Sequence, residues 1–380
     1  MHKVVIFQHR LLHYRVELFE LLRARCLECS IELHLVHGQP TERERLRNDV
    51  GCLSWANAVV NWNYSLSGQD LIWLPFPSHL RDADLVILMQ ENRQLSNYPI
   101  LLRRLWSKKK VAYWGHGANF QSDAPSGLRE RWKKMLLTKV DWWFAYTQMT
   151  VDVLAKAGYP SEQIACLNNA IDTDSFKREL ATVSEADLTT VRQEMDICAG
   201  APVAIFCGSL YPDKKLDLLV AACDRIHHDS PDFHCVILGD GPSMPYMREA
   251  AQSRPWLHLM GVTKGRKKAL YFRMSDFMLN PGLVGLHVVD AFCAGLVMAT
   301  TSGARHSPEV CYLQHGVNGI MTSDSVEAYA QAILALIQDR DRLSQYRIAA
   351  LAAADVYTLN NMVTQFVGGI VKCLAKVDSK

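Results

Sequence analysis

The sequence lacks any apolar run that approaches the ~18 residues a membrane-spanning helix needs. Its first ten residues, MHKVVIFQHR, are typical of a short strand that breaks at Gln8, and not of a signal peptide. Net charge is also nearly absent, at +2 over 380 residues, which excludes a chain that is basic or acidic throughout. These absences leave a globular protein, and its length predicts two domains.

Paired cysteine motifs are missing as well. The eleven cysteines are odd in number and scattered, mostly within apolar stretches such as IFCGSL and DAFCAG. Cys26 and Cys29 form one CxxC without a second pair, so neither zinc nor redox chemistry is expected there. We therefore expect reduced, buried thiols in a cytoplasmic protein. The histidines and acids of HDSPDFH read as a turn, and no metal site is predicted.

The small net charge hides one strongly basic segment, 101–140. It holds ten basic and two acidic residues, a local charge of 10 − 2 = +8, with tryptophans in or beside it. Such a mixture suits the surface of an anionic membrane, although a solvated helix face beside core tryptophans fits equally well. No nucleic acid partner is predicted, because the chain carries no recognised nucleic-acid-binding module. The basic residues are Arg103, Arg104, Lys108, Lys109, Lys110, Arg129, Arg131, Lys133, Lys134 and Lys139.

Strand and helix patterns alternate along the whole chain. KVVIF, IELHLVHG, DADLVILM, KKVAYWG and WWFAY read as strands, and VAIFCGSL and FHCVILGDGP resume the series after a polar stretch, 177–200, that reads as a linker plus a helix. This order predicts an α/β fold of two Rossmann-like domains facing each other across a cleft. The predicted bounds are 1–175, 176–358 and, for a last helix that packs back on the first domain, 359–380.

Loops after the carboxyl ends of parallel strands are where such folds bind ligands. The stretch NPGLVGLHVVDAFCAG, 280–295, is one of them, and its glycines allow a tight turn into a helix. The amides of Leu286, His287 and Val288, together with the helix dipole, make an anion site suited to a diphosphate. Asp290 either accepts hydrogen bonds from a vicinal diol such as ribose or simply caps the helix. Lys214, after another strand, could neutralise the same phosphates.

These stretches resemble the retaining nucleotide-sugar glycosyltransferases of the GT-B fold, the large family labelled group 1. The resemblance covers almost the full length. It rests on FCGSLYPDKKLDLLVAA, VILGDGP, LMGV, SDFMLNPG, GLHVVDAFCAGLVMATTSG and HGVNGIM, with YWGHGAN and LNNAIDTDSF in the first half. It implies transfer of a sugar from a nucleoside-diphosphate sugar to a saccharide or lipid-linked acceptor, with retention of configuration and without a metal or cofactor.

The resemblance also implies roles for individual residues. His116 and Lys214 fall at catalytic positions: the histidine faces the transferred sugar, and the lysine stabilises the leaving diphosphate. Asp290 falls at the ribose-binding glutamate and Val262 where the backbone meets the base. The rest of the implied donor set is Gly208, Ser209, Gly239, Gly285, Leu286, His287 and Val288.

Two positions depart from the family pattern. Gly282 stands where the E-x7-E motif has its first acid, and Ser209 stands where an arginine usually accompanies the lysine. In the family, the first acid of the motif contacts the donor sugar and the arginine contacts phosphate. Their absence here leaves the identity of the transferred sugar, and the activity itself, open. We hypothesise that His287 makes the sugar contact that a glycine at position 282 cannot make.

The first domain is expected to bind the acceptor. Its first loop, QHRLLHYR, lacks the glycines often found there and instead offers Arg10, His13, Tyr14 and Arg15, which could hold an acceptor phosphate or form surface salt bridges. With the basic segment, this favours a lipid-linked acceptor and synthesis of a cell-surface polysaccharide or glycolipid on the inner face of the membrane.

Two other functions stay open. One is a non-catalytic binding partner that keeps the fold, which the residues at 282 and 209 encourage. The other is a sugar-nucleotide epimerase or an inverting transferase, both of which place an acidic base in the first domain. No candidate for such a base is visible near His116 in the sequence.

Overall fold

The computed structural model describes residues 1–45, 49–66, 69–118 and 135–376, apart from the side chains of residues 43, 66, 69 and 105. The chain divides into two compact units, Met1–Asp172 with Leu359–Lys380, and Thr173–Thr358. The second unit begins together with the helix Thr173–Ala181, so a boundary after residue 175 would fall inside that helix.

The first unit is built on a parallel sheet with the strand order β3-β2-β1-β6-β7-β8-β9, while β4 and β5 pair as an antiparallel hairpin. Residues 4–7 of β1 are fully buried, because both faces of this central strand are covered. The strands are β1 (His2–Gln8), β2 (Ile31–His37), β3 (Asn57–Ala58), β4 (Trp62–Leu66), β5 (Gln69–Trp73), β6 (Leu85–Met89), β7 (Lys110–Gly115), β8 (Trp142–Ala145) and β9 (Ile164–Cys166). The described helices are Val16–Glu28, Glu42–Arg45, Asn97–Arg103, Gln148–Lys156 and Leu359–Ala375.

The last of these helices packs on the first unit, as predicted. Phe366 stacks on Phe144 of β8 at 4.5 Å between ring centroids and meets Trp114 of β7 edge-on at 5.1 Å. Gly369 lets the helix approach the sheet, since a Cβ there would lie 2.7 Å from the Phe144 ring. Trp114 of KKVAYWG and Phe144 of WWFAY thus form part of the surface against which the C-terminal helix packs, whereas Tyr113 and Trp143 belong to the cluster on the other face of the sheet.

The second unit repeats the architecture with the parallel strand order β12-β11-β10-β13-β14-β15. The order reverses between β10 and β13, and the crevice outside the carboxyl ends at such a reversal is the usual ligand site of an open α/β sheet. The strands are β10 (Val203–Cys207), β11 (His234–Leu238), β12 (Leu257–Gly261), β13 (Phe277–Leu279), β14 (Val297–Thr301) and β15 (Gly319–Thr322). The helices are Thr173–Ala181, Glu185–Glu194, Leu216–Asp229, Met244–Ala251, Gly265–Met274, His287–Cys293, Val326–Gln338 and Arg340–Val356.

Two expectations from the sequence are wrong. The stretch 177–200 is not a linker plus one helix, because the helix Thr173–Ala181 runs through its start and a second helix follows after the capping box of Ser184 and Asp187. The thiols are not all buried either: those of Cys29, Cys52 and Cys198 are exposed. The expectation of no spanning helix stands for the described residues, where no helix is long and apolar enough to cross a bilayer.

Candidate functional site

The carboxyl edge of the second sheet is assembled from glycine turns. Gly208 after β10 has φ +153° and Gly239 after β11 has φ +144°, and a Cβ on Gly239 would overlap the carbonyl oxygen of Gly208. Their amides are used in the sheet edge, since Gly208 donates to Leu238 at 3.0 Å and Gly239 donates to Gly261 at 2.8 Å. The predicted glycines therefore let three strand ends lie against one another, as only glycine can.

The turn that carries Lys214 packs directly on Gly282. A Cβ at Gly282 would overlap the carbonyl oxygen of Asp213 and the main chain of Lys214, and the amide of Leu283 donates to that same Asp213 carbonyl at 2.9 Å. The departure from the family's acid thus has a structural cause: the backbone of the lysine turn occupies the space in which a side chain would begin.

Lys214 is a buried cation, 4% exposed. Its Nζ donates to the carbonyl oxygen of Leu283 at 2.5 Å and lies 5.7 Å from the centre of the Tyr211 ring. Among the described residues no carboxylate lies within ion-pair distance of this Nζ. Burial lowers the pKa of Lys214 to about 8, because a charged ammonium loses its hydration there. A bound anion would favour the charged form and offset this cost of burial.

The start of the helix His287–Cys293 offers fewer amides than predicted. The amide of Val288 donates to the carbonyl of Gly285 at 3.1 Å, so it is already used. In the described part of the chain, the amides of Leu286 and His287 have no acceptor. Two of the three predicted amides therefore remain open for an anion.

Asp290 contacts a residue that sequence reasoning missed. Its carboxylate pairs with Lys268 at 2.9 Å, and both groups are largely buried, with side-chain exposures of 12% and 21%. Although burial opposes the charge, the carboxylate raises the pKa of Lys268. The lysine also lies over the rings of Phe176 and Phe272, at 4.4 and 5.3 Å. Nothing in the motif marks Lys268, which comes from the helix Gly265–Met274.

The side chain of His287 is neutral. Burial, together with the charges of Lys214 and Lys268, holds its pKa well below the usual value. Its Nε2 is enclosed and has no hydrogen-bond partner among the described residues. His306, by contrast, is used by the fold: Nδ1 accepts from the amide of Val284 at 3.1 Å, and Nε2 lies 2.7 Å from the carbonyl of Thr301.

The remaining donor residues lie at the same edge of the sheet. Ser209 is exposed, and Val262 is 67% exposed directly after β12, where only its backbone is fixed by the strand. Gly285 has room for a side chain, with Ser307 Oγ 3.7 Å from a Cβ built there. The structure thus places all the predicted donor residues on the loops and helix starts that follow β10 to β13.

A cavity of about 340 Å³ lies at the corresponding edge of the first sheet. Arg10, Tyr14, Arg15 and His116 line it, whereas His13 does not and is exposed beside the carbonyl of Asp49. The walls come from the carboxyl ends of β1, β6 and β7, which is again the edge where open sheets bind ligands.

Arg10 forms salt bridges, the second of the two roles that the sequence left open for it. It pairs with Asp49 at 2.7 Å and lies 3.7 Å from Glu44. Glu44 also meets His9 at 3.2 Å and Arg93 at 3.0 Å. Glu44 and Glu91 raise the pKa of His9 in spite of its burial, so three cations in this network face three carboxylates.

Arg15 differs from these cations. It is 5% exposed, and its guanidinium donates to Asn169 Oδ1 at 2.7 Å, but within the described ranges no carboxylate pairs with it. The rings of Trp114 and Tyr146 lie 5.4 and 5.6 Å from it. Two more buried donors on the cavity wall, Gln8 Nε2 and Trp114 Nε1, have no acceptor among the described residues. Gln8 and Trp114 therefore offer unused donors on this wall, beside the guanidinium of Arg15.

His116 is held in the same cavity by its loop. Gln90 accepts from the amide of Gly117 at 3.0 Å and donates to its carbonyl at 3.2 Å, and Gly117 has φ +72°. The imidazole stacks on Tyr146 at 4.3 Å between centroids. An acid that the sequence did not reveal, Glu91, also lines the cavity. In spite of burial, His9 and Arg93 lower the pKa of Glu91 to about 2.

Comparison with known proteins agrees with this architecture. The model of the family described as glycosyl transferases group 1 matches residues 201–339. The chain is 23% identical to the D-inositol 3-phosphate glycosyltransferase of Nocardia farcinica over 334 residues, 78% of this chain and 71% of that protein. It is 25% identical to the alpha-monoglucosyldiacylglycerol synthase of Acholeplasma laidlawii over 131 residues, about a third of each chain.

Among solved structures, the Anabaena protein HepE in complex with UDP superimposes with a TM-score of 0.69, at 15% identity and over 98% of this chain and all of that one. The chain folds into two Rossmann-like units, and it superimposes on this solved structure over nearly its full length. Together these observations define the GT-B fold. Over residues 201–339 the chain is therefore similar to the group 1 glycosyl transferases.

Proposed function

We propose that this protein transfers a sugar from a nucleoside-diphosphate sugar to a saccharide or lipid-linked acceptor with retention of configuration. The observation that carries the proposal is Lys214, a buried lysine without a carboxylate partner in the described chain, beside the open amides of Leu286 and His287. A diphosphate supplies the negative charge that this arrangement lacks. Because HepE was solved with UDP, uridine nucleotides are the first donors to test.

The chemistry follows from where charge develops. As the bond between the sugar and the diphosphate breaks, Lys214 and the two amides stabilise the leaving oxygen, a preorganised electrostatic effect. The acceptor hydroxyl attacks the same face of the sugar, and the departing phosphate takes its proton. His116 orients the sugar, and Asp290 accepts from the ribose with the carboxylate that Lys268 also holds. Lys214 replaces the metal ion of other transferases, so full activity in EDTA is expected.

The acceptor is proposed to bind in the cavity of the first unit. Arg15, Gln8 and Trp114 provide donors for an anionic group, which a phosphate on the acceptor would satisfy. The Nocardia relative is named for a phosphorylated acceptor, D-inositol 3-phosphate. Arg15→Met should therefore raise the KM for a phosphorylated acceptor far more than for its dephosphorylated form, with donor hydrolysis unchanged.

Cytoplasmic location, contact with an anionic membrane through 101–140, and a role in polysaccharide or glycolipid synthesis belong to the same proposal. The Acholeplasma relative is named for a glycolipid product. In the described part of the segment Lys108 is exposed, whereas Arg104 pairs with Asp141 at 2.6 Å. Four further basic residues of the segment lie outside the described residues: Arg129, Arg131, Lys133 and Lys134.

An epimerase or inverting transferase is the second candidate, because Glu91 supplies the acid that the sequence did not reveal. A general base works best with a pKa near the working pH, and a carboxylate with a pKa of about 2 accepts protons poorly. The environment of Glu91 therefore favours the retaining transferase. The anomeric configuration of the product decides between them.

A thermal-shift panel of nucleoside diphosphates and their sugars tests the donor site. At a hundred times its Kd a ligand should stabilise the protein by ~2.7 kcal/mol. We expect one base to stabilise the parent and not Asp290→Ala. Asp217→Ala is the matched control, since Asp217 is an exposed acid in the first turn of another helix. A response from no nucleotide would instead favour a non-catalytic partner, and hydrolysis of a bound donor would exclude it.

A further inference from the structure

A second cavity of the first unit lies at the opposite edge of the same sheet, where β6 and β7 begin. Its volume is about 240 Å³. Apolar side chains form its wall: Phe76, Leu80, Val86, Ile100 and Val111. Neither the donor residues nor the acceptor cavity at the carboxyl ends of the strands shares any of this wall, so a ligand bound here would be distinct from donor and acceptor.

The rim of the cavity is basic. Arg104 is neutralised by a two-point contact with Asp141, at 2.9 and 2.6 Å. Lys109 has no carboxylate partner among the described residues, and its Nζ donates to a neutral group, the carbonyl of Arg81, at 2.7 Å. Arg81 and Arg103 are exposed and have no carboxylate partner in the described part of the chain. The opening therefore carries an excess of positive charge above an apolar interior.

Large apolar side chains stand beside this opening. Leu102 is 56% exposed and Trp106 is 70% exposed, and both lie between rim residues in the chain. A tryptophan with its indole in contact with solvent suits the interfacial region of a bilayer, where an apolar ring and a polar N–H are both accommodated. An apolar interior, a cationic rim and an interfacial aromatic residue thus occur together at this cavity.

We propose that this cavity binds the acyl chain of an anionic membrane phospholipid. The acyl chain enters among Leu80, Val86 and Ile100. The headgroup phosphate contacts Arg81 and Arg103 at the rim. A neutral apolar ligand would not use the rim, and a soluble anion would not use the interior, so an anionic amphiphile fits both. The inference deepens the proposed membrane contact by giving it a site, and it leaves the acceptor cavity free at the other edge of the sheet.

Vesicle co-sedimentation of the full chain tests the rim. We expect binding to phosphatidylglycerol-containing vesicles and little binding to phosphatidylcholine alone. Each charge removed near an anionic surface lowers binding by about fivefold, so Arg81→Gln with Arg103→Gln should lower it by about 25-fold. Lys156→Gln and Lys264→Gln, which remove two exposed charges elsewhere, are the control. Equal loss in both pairs would mean that net charge alone attracts the protein, and would overturn the site.

Two further measurements test the interior. Ile100→Gln should weaken vesicle binding several-fold, whereas the exposed control Ile348→Gln should not. Lipids brominated along the acyl chain should quench tryptophan fluorescence in the parent and much less in Trp106→Phe. Acyl insertion would be contradicted if Ile100→Gln bound vesicles as well as the parent does and brominated lipids did not quench Trp106. That result would show a headgroup contact only.

The nucleotide-induced thermal shift is recorded for every variant. A preserved shift shows that the variant is folded and its donor site intact, so a loss of vesicle binding then reports on this cavity. A parent that binds vesicles but no nucleotide would count against the transferase and not against the lipid site. A parent that binds nucleotide but no anionic vesicle would count against the lipid site and not against the transferase.

Discussion

The candidate sites of the two units differ in whether their cations are paired with carboxylates. In the first unit, His9, Arg10 and Arg93 face Glu44, Asp49 and Glu91 at the cavity wall, and the charges nearly cancel. In the second unit, Lys214 faces a backbone carbonyl, and its charge is disfavoured by burial rather than balanced by an acid.

This difference separates two ways of preparing a site. A neutralised network is stable without ligand and holds the cavity's shape, so we propose that acceptor selectivity depends on Arg15, which has no carboxylate partner among the described residues. A buried lysine without an acid weakens the ligand-free fold and strengthens the bound state, because a bound diphosphate offsets the cost of burying its charge. The first arrangement fixes geometry, and the second couples folding energy to donor binding.

The largest expected effect comes from restoring the family's acid, Gly282→Glu. A Cβ at this position would overlap the main chain of Asp213 and Lys214, so the lysine turn has to move. We expect a loss of ~3 kcal/mol or more in the free energy of unfolding, and no nucleotide response, although the change brings the motif closer to the family. Chemical denaturation and the thermal-shift panel measure both.

Gly285→Ala is the matched control for that change. A Cβ there meets only Ser307, at 3.7 Å, which is an ordinary contact. We expect it to change stability by less than ~1 kcal/mol. If Gly282→Glu instead remained folded and bound the nucleotide more tightly, the backbone explanation for the missing acid would be wrong.

The next effect separates the two lysines of the turn. Lys214→Met should lower kcat by about 10²- to 10³-fold, since it removes the charge that stabilises the leaving group. Without ligand it should raise stability at pH 7 by ~1–3 kcal/mol, because the folded pKa of about 8 lies below the ordinary 10.5. That penalty is fully present below pH 8 and fades as the pH rises toward 10.5, so parent and variant should converge there.

Lys215→Met supplies the contrast at the adjacent position. Lys215 pairs with Asp324 at 2.6 Å and is partly exposed, so its loss should destabilise the protein slightly and leave kcat within about threefold. Equal effects of the two substitutions on kcat would remove the special role assigned to Lys214. Titration of stability between pH 7 and 10.5 provides the second readout.

The second unit was more readable from sequence than the first, for a physical reason. Its site is built from main chain at strand ends, and glycines such as Gly239 mark main-chain approaches directly in the sequence. The alternation of strands and helices predicted the two units, and the apolar spacing of the last helix predicted its return to the first one. Lys268 was missed because its partner, Asp290, lies 22 positions further along the chain.

The first unit's network tests the opposite arrangement. In the folded protein Glu91 has a pKa of about 2 against an ordinary 4.5, so its stabilising contribution is present above pH 4.5 and is lost as the pH falls toward 2. Glu91→Gln should therefore cost ~1–2 kcal/mol at pH 7, discounted for its 29% side-chain exposure, and should flatten the acid limb of the unfolding curve. Hydrogen exchange of the β1 and β6 amides reports on this unit specifically.

Glu28→Gln, in an exposed pair with Arg25, should change stability by less than ~0.5 kcal/mol. A similar acid limb for Glu91→Gln and the parent would show that the network is not held by this carboxylate. The network could not be foreseen, because Glu44, Glu91 and Arg10 come from three separate segments that carry no shared motif. Only the fold brings their charges together, which is why Arg10 looked as available as Arg15 in the sequence.

The smallest expected effect concerns His287, which decides whether the site compensates for its missing acid. Its imidazole is neutral and its Nε2 has no partner among the described residues, so a sugar hydroxyl is a ligand it can take.

His287→Gln should leave the nucleoside diphosphate affinity within about threefold but change the preference between donor sugars by about tenfold, or ~1.4 kcal/mol. Because burial holds the pKa of His287 well below its usual value, that change should be constant between pH 7 and 8. His306→Gln, which disturbs the contacts to Val284 and Thr301, should weaken all donors alike. An unchanged sugar preference in His287→Gln would mean that Gly282 leaves the sugar uncontacted on this side, and that selectivity comes from the first unit alone.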